Sequence, residues 1–315
     1  MKDKQPLICP ITYEPLSAGQ KYSTNGLKKL APTLHHLEDI PFSAEDQRNQ
    51  ARQRADKMSI QGVQPKLSAI LSIKKSSFEI CDVGGLYILK PQSDLYFELP
   101  ENEDLSMHLA AEAGIEVPLH GLLYSIDKTF TYFIKRFDRA ARHQKMAVED
   151  FAQLSGLRRD TKYNFSMEKI IPIIEKNCTF PVLEKKNLFL RTLFNYLIGN
   201  EDMHLKNFSL IARNGKIELA PAYDFINTTI ALGGGAKEEM ALPLNGKKHN
   251  LRKKDFIEYY GVQKLELNEP VIREILKQLS SATPRWESLI KTSFLSQASK
   301  DNYLKVLENR MRIIL

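Results

Sequence analysis

Three oxygen-bearing side chains fall within one polar part of the chain. Asp202 and Asn207 lie five residues apart, and Asp224 follows seventeen residues later. Phosphoryl transfer needs such a set. One carboxylate accepts the proton of the attacking hydroxyl, and an Asn with a second Asp holds Mg2+ on the phosphates. A lysine from a strand neutralises charge on those phosphates. Lys90 ends a predicted strand well upstream, which completes the order strand lysine, base, Asn, metal Asp. The Asp202–Asn207 pair alone suits a loop that caps its own backbone equally well, because Asp and Asn do this routinely. The ordered set with Lys90 and Asp224 favours chemistry. His204 orients or caps the same loop, and as a metal ligand it has no partner at suitable spacing. The stretch 59–66 precedes a strand but holds a single glycine, Gly62, and so departs from the glycine-rich phosphate loop of kinases.

These residues need elements to position them. Residues 67–73 put Leu67, Ala69, Leu71 and Ile73 on one face at period two, and 78–81 and 86–90 follow as short runs. They predict three strands of antiparallel sheet, with a further strand at 131–137. Ser43 and Asp46 have capping-box-like spacing ahead of Arg48, Arg52 and Arg54, which predicts an exposed helix or arm. A helix is expected from Asn102 as N-cap, with Glu103 and Asp104 in its first turn and Gly114 at its end. From about residue 145 the period turns helical. Leu190, Leu193, Phe194 and Leu197 form the stripe of a buried helix that Gly199 ends. A hairpin of 208–211 and 217–219 follows, its turn supplied by Asn214-Gly215. Helical patterns return at about 269–282, 285–293 and 297–313. The fold class is therefore α+β, with a strand-rich part, 1–137, and a helical part, 138–315.

Composition excludes several classes. With 43% hydrophobic residues among 315, the chain buries a core and is not globally disordered. Three scattered cysteines, Cys9, Cys81 and Cys178, suit neither a disulfide scaffold nor a zinc ribbon and fit a reducing compartment. The N-terminus lacks the apolar core of a signal peptide, and the greasiest stretch, 188–198, is short and interrupted by Arg191. A soluble, cytoplasmic protein is expected. The net charge of +7 serves an acidic partner, nucleic acid or nucleotide phosphates alike. Lys247, Lys248, His249, Arg252, Lys253 and Lys254 form a basic cluster that reads first as a solvated face and second as a docking surface. The glycines at 233–235 read as a flexible loop.

Several short motifs together resemble one family. They are Ser-Ile-x-Gly-x-Gln-Pro-Lys at 59–66, Leu-Lys-Pro at 89–91, Asn-Glu at 102–103 and Arg-Phe-Asp-Arg at 136–139. Glu-Asp-Phe at 149–151, Asp-x-His-x-Lys-Asn at 202–207 and Ala-Pro-Ala-Tyr-Asp at 220–224 continue the series. The chain resembles the HipA family of serine/threonine kinase toxins, most of all its compact HipT type. The resemblance implies a bilobal kinase-like fold, ATP with Mg2+, and phosphorylation of a protein, in this family an aminoacyl-tRNA synthetase. It assigns Asp202 and Lys206 to catalysis, Asn207 and Asp224 to Mg2+, and Lys90 to the phosphates of ATP. Gly62 and Gln64 belong to the loop over those phosphates, Lys135 and Phe137 to the adenine hinge, and Glu103 to a pair with Lys90. Ser59 is the expected site of autophosphorylation. The resemblance further implies a small antitoxin supplying an absent N-terminal subdomain, together with a DNA-binding antitoxin. Neither membrane association nor direct nucleic-acid contact is expected. The competing reading is a degenerate kinase fold acting as a nucleic-acid-binding regulator.

Overall fold

The computed structural model describes residues 7–54, 64–141, 144–156, 165–233 and 238–315. It divides into two compact units. The first takes residues up to 105, 118–145 and 291–295, and the second takes 106–117, 146–290 and 296–315.

In the first unit α1 (Thr24–Leu30) and α2 (Ala44–Arg54) precede the strands β1 (Leu67–Ser72), β2 (Ser77–Ile80) and β3 (Tyr87–Pro91). The helix α3 (Leu99–Glu112), which continues into the second unit, is followed by β4 (His120–Tyr124) and β5 (Phe130–Lys135). A two-stranded ribbon, β6 (Arg139–Ala141) with β7 (Gln144–Lys145), closes the unit. The main sheet has the order β2-β1-β3-β5-β4 and is antiparallel throughout, as the alternation in 67–90 predicts. Its apolar face carries Leu67, Ala69, Leu89 and Phe133. Residues between 8 and 40, which the sequence left without a role, cover that face with Cys9, Ile11, Leu27, Leu34, Leu37 and Ile40. Each large side chain so buried contributes about 1.5–3 kcal/mol. At Gly85 a Cβ would fall 1.9 Å from Ser68 Oγ, so only glycine permits the approach of this turn to β1.

In the first unit two expectations about helix ends hold and one fails. The Ser43–Asp46 pair does cap α2: the Asp46 N–H donates to Ser43 Oγ at 3.1 Å and the Ser43 N–H to Asp46 Oδ2 at 3.2 Å. Gly114 is left-handed at φ +74°, and the Ile115 N–H reaches back to the Ala110 carbonyl at 3.0 Å. The start of α3, however, lies at Leu99 rather than after Asn102. The Asn102 N–H already donates to the Glu98 carbonyl at 2.9 Å. Pro100 sits in the first turn, where a missing N–H costs nothing, and it is the truer start signal.

The second unit opens with β8 (Val148–Asp150), α4 (Phe151–Leu154), α5 (Met167–Asn177) and the long buried α6 (Pro181–Ile198). A 3-10 turn over Leu205–Asn207 leads into β9 (Ser209–Arg213) and β10 (Lys216–Leu219), and α7 (Thr228–Ala231) follows. A π-helical segment, Asp255–Lys264, then precedes α8 (Glu269–Thr292) and α9 (Gln297–Ile314). The hairpin turn has Asn214 and Gly215 both left-handed, at φ +52° and +72°, as its residue types demand. The stripe on α6 is buried, and Phe194 packs on Phe225 and Trp286 at centroid distances of 5.2 and 5.7 Å. The two helices expected at 269–282 and 285–293 are one, with Pro284 inside it. Ile272, Ile275, Leu279, Ala282, Trp286, Leu289 and Ile290 run as one unbroken buried stripe across the proline. Their burial outweighs the roughly 3 kcal/mol that an internal proline costs. Among the described residues no helix is long and apolar enough to cross a membrane.

Candidate active site

In the first unit the sheet and α3 bring Lys90 and Glu103 together. Lys90 Nζ lies 2.6 Å from Glu103 Oε1, and the two side chains are 3% and 0% exposed. The ammonium also stands 5.6 Å from the ring centre of Tyr132, its partner in register across β3 and β5. Next along α3, Asp104 Oδ1 lies 2.9 Å from His120 Nδ1 on β4, and burial depresses the imidazole to about 3, so it is neutral. Glu101, on the same helix, is raised to about 7, chiefly by burial. An ion pair withdrawn from water costs several kcal/mol per ion before attraction repays it. A cation fixed on a central strand by a helix carboxylate is the arrangement that orients a lysine toward phosphates in kinases.

In the second unit the loop after α6 carries Asp202. Gly199 ends the helix in the left-handed region, at φ +77°, as its sequence position predicts. Asn200 is buried and donates from Nδ2 to Asn195 Oδ1 at 2.9 Å, while its Oδ1 accepts the Asp202 N–H at 3.2 Å. The Asp202 side chain is exposed, whereas its carbonyl accepts from the His204 N–H at 2.8 Å and from Asn207 Nδ2 at 3.1 Å. That leaves Asn207 Oδ1, a hard oxygen donor, as the atom it can present to a cation. His204 is buried, and its side chain does not cap the 3-10 turn it precedes. The Tyr223 hydroxyl donates to the Lys206 carbonyl at 2.9 Å and meets Ser209 Oγ at 2.5 Å, which fixes the following loop against the first. Asp224 then takes φ +57°, the left-handed region that an L-residue adopts only when its surroundings impose it. An Asn carbonyl and a carboxylate match the oxygen preference of Mg2+, so the donor set fits that ion.

The remaining candidates divide as follows. Ser59 and Gly62 lie outside the described residues. Gln64 is half-buried, and its Nε2 is fully buried with no hydrogen-bond partner among the described residues. Lys135 ends β5 with an exposed side chain, and its N–H is already given to the Leu119 carbonyl at 2.7 Å. Phe137 is half-buried two residues on.

Arg310 on α9 escaped the sequence reading. Its Nη2 pairs with Glu201 Oε1 at 2.7 Å, its Nη1 donates to the Tyr196 carbonyl at 2.7 Å, and the guanidinium lies 4.9 Å from the Tyr196 ring centre. Thr228 and Thr229 were missed too. Thr229 Oγ1 donates to Glu201 Oε1 at 3.0 Å, Thr228 Oγ1 accepts the Glu201 N–H at 2.8 Å and donates to the Gly199 carbonyl at 3.0 Å. These contacts tie the Asp202 loop to the segment after Asp224. No local pattern marks them, because each depends on where α7 and α9 come to rest.

A strand-rich unit with a buried lysine–glutamate pair, and a helical unit carrying the Asp–Asn and Asp loops, define a kinase-like fold. The HipA-like C-terminal domain family matches residues 58–286, and the chain belongs to it. A Haemophilus influenzae protein named as a candidate kinase is 30% identical over a 337-residue alignment that covers 98% of this chain and 97% of that protein. The Shewanella oneidensis serine/threonine-protein kinase toxin HipA is 27% identical over 190 residues, 54% of this chain and 43% of that relative. The solved Shewanella oneidensis complex of HipA, HipB and operator DNA matches with a TM-score of 0.67 and 18% identity, covering 95% of this chain and 80% of that one. The Helicobacter pylori proinflammatory kinase CtkA matches with a TM-score of 0.53 and 17% identity, over 72% of this chain and 85% of the other. The two solved structures bear on the fold, and the relatives' names make kinase activity the assignment at the level of the family.

Proposed function

We propose that the chain is an ATP- and Mg2+-dependent serine/threonine protein kinase that acts as the toxin of a toxin–antitoxin pair. The observation that carries this reading is the Lys90–Glu103 pair, 2.6 Å long and almost fully buried. Burying an ion pair is poor stabilisation, so the buried Lys90–Glu103 pair supports a lysine held ready for charge on a ligand.

Lys90, oriented by Glu103, supplies positive charge to the phosphates of ATP. Gln64 offers them an amide N–H that has no partner among the described residues. Asn207 and Asp224 present the hard oxygens that hold Mg2+, which when bound draws charge from the phosphates. Asp202, exposed on a loop whose backbone is pinned by Asn200 and Asn207, accepts the proton of the attacking serine or threonine hydroxyl. Lys206 neutralises charge on the phosphoryl group in transit, and Lys135 with Phe137 receives the adenine. Family resemblance favours an aminoacyl-tRNA synthetase as substrate and Ser59 as the residue the kinase modifies in itself. The HipA–HipB–operator DNA complex supports an antitoxin partner, and family resemblance adds a small antitoxin beside a DNA-binding one and a cytoplasmic location.

Asp202→Asn preserves the shape of the loop and removes the proton acceptor. It is expected to keep Mg2+-ATP binding and lose phosphotransfer, with phosphate on Ser59 in the wild type only. Phosphopeptide mapping of both proteins after incubation with ATP decides this, and an Asp202→Asn protein labelled at the wild-type rate refutes the assignment.

A further inference from the structure

The second turn of α3 carries two adjacent acids, Glu103 and Asp104, and both are fully buried. Because α3 starts at Leu99, they lie past its first turn, where the attraction of a helix's positive end has faded. Each faces a basic partner on the sheet instead. Glu103 meets Lys90 on β3 at 2.6 Å, and Asp104 meets His120 on β4 at 2.9 Å.

The sheet order puts β5 between those two strands, so the anchors stand on strands about 10 Å apart. Tyr132 on β5 occupies the interval. It is in register with Lys90 on one side and with Leu122 on the other, and Leu122 is two residues from His120. All of these side chains therefore belong to one face of the sheet. Lys90 Nζ lies 5.6 Å from the centre of the fully buried Tyr132 ring, and the centre of the His120 ring lies 6.1 Å from it. Burial keeps the imidazole neutral, so His120 adds no charge that would repel Lys90.

Successive residues of a helix point about 100° apart. A single contact, Glu103 to Lys90, leaves α3 able to turn about its axis while the long side chains follow. A second contact, to a strand beyond Tyr132, removes that freedom, because a turn that withdraws Glu103 from β3 also parts Asp104 from β4. A buried polar contact stabilises little more than an apolar pair of the same shape. What it adds is direction.

We propose that His120, acting through Asp104, is a positioning residue that fixes the rotation of α3 and so holds Glu103 on Lys90. The inference rests on the reading of Lys90 as the lysine that meets the phosphates, and it names what keeps that lysine aimed.

Two variants of the full chain test it. His120→Leu keeps bulk and removes the polar atom, whereas His120→Asn returns an amide near the place of Nδ1. In phosphotransfer assays His120→Leu is expected to lower kcat roughly tenfold with little change in KM for ATP, and His120→Asn to recover to within about threefold of the wild type. Urea melts supply a readout independent of activity. The loss of midpoint caused by His120→Leu should shrink by about half when Lys90→Met and Glu103→Leu are already present, because sites coupled through one helix do not add. Equal kcat losses in the two His120 variants, no loss in either, or the same midpoint loss in both backgrounds overturns the inference. A wild-type protein that transfers no phosphate sinks the kinase reading instead, and the melts alone then decide whether His120 holds Glu103 in place.

Discussion

Arg310 and Glu201 form a nearly buried ion pair, 2.7 Å between Nη2 and Oε1, that ties the C-terminal helix α9 to the residue directly before Asp202. The side chains are 10% and 8% exposed, and the same guanidinium reaches the last turn of α6 through the Tyr196 carbonyl. Glu201 also accepts from Thr229. The backbone that aims Asp202 is therefore held from two directions by contacts far from it in sequence.

Arg310→Met leaves a buried carboxylate without its cation, which costs about 3 kcal/mol or more. Burial is the main cause that raises Glu201 above its ordinary pKa of 4.5, and Arg310 opposes it. A raised carboxylate binds more protons folded than unfolded, so its contribution to stability falls as pH rises through that window. Removal of Arg310 extends the window upward. Denaturant melts should therefore show a deficit for Arg310→Met that is smaller near about pH 5 than near about pH 8. A deficit independent of pH would show that Glu201 does not sense Arg310.

Lys90→Met is expected to abolish phosphotransfer and to destabilise the first unit, because Glu103 is left fully buried and charged. Replacing both, Lys90→Met with Glu103→Leu, should restore most of the stability and none of the activity. Calorimetry with Mg2+-ATP should show binding weakened roughly tenfold or more by Asn207→Ala or Asp224→Asn, each of which removes a hard oxygen. Unchanged affinity and activity in all these variants would place the chemistry elsewhere in the chain.

At Gly199 an added Cβ would meet Val306 Cγ1 at 2.9 Å, Thr229 Oγ1 at 3.0 Å and Asn227 Oδ1 at 3.1 Å, on a backbone already at φ +77°. Gly199→Ala should cost about 2–4 kcal/mol from left-handed strain and overpacking together. Gly215→Ala has the same strain, at φ +72°, but open space around it. It should lose only about 1–2 kcal/mol. Equal losses in urea melts would mean that the crowding around Gly199 relaxes freely.

Features decided within a few residues were legible in the chain itself. The alternation in 67–72 (Ile73, expected on the same face, lies exposed beyond the strand), the left-handed Asn214-Gly215 turn, the Gly199 stop and the reciprocal Ser43–Asp46 cap each depend on contacts no longer than a turn or a hairpin. The order Lys90, Asp202, Asn207, Asp224 was likewise visible, because it is a matter of residue type and succession. Where a local signal competed with packing, packing won. Asn102 looks like a cap wherever it stands, yet α3 starts at Leu99, and Pro284 looks like a stop, yet one buried stripe carries α8 through it. What residue type and spacing could not disclose were pairings across the topology. The Lys90–Glu103 pair was implied only by the family resemblance and forms because α3 returns its start to the sheet, and Arg310 meets Glu201 across 109 residues. Charge and residue type are written in one dimension, but which acid neutralises which base is set by the path of the backbone, and that path exists only once the core has closed.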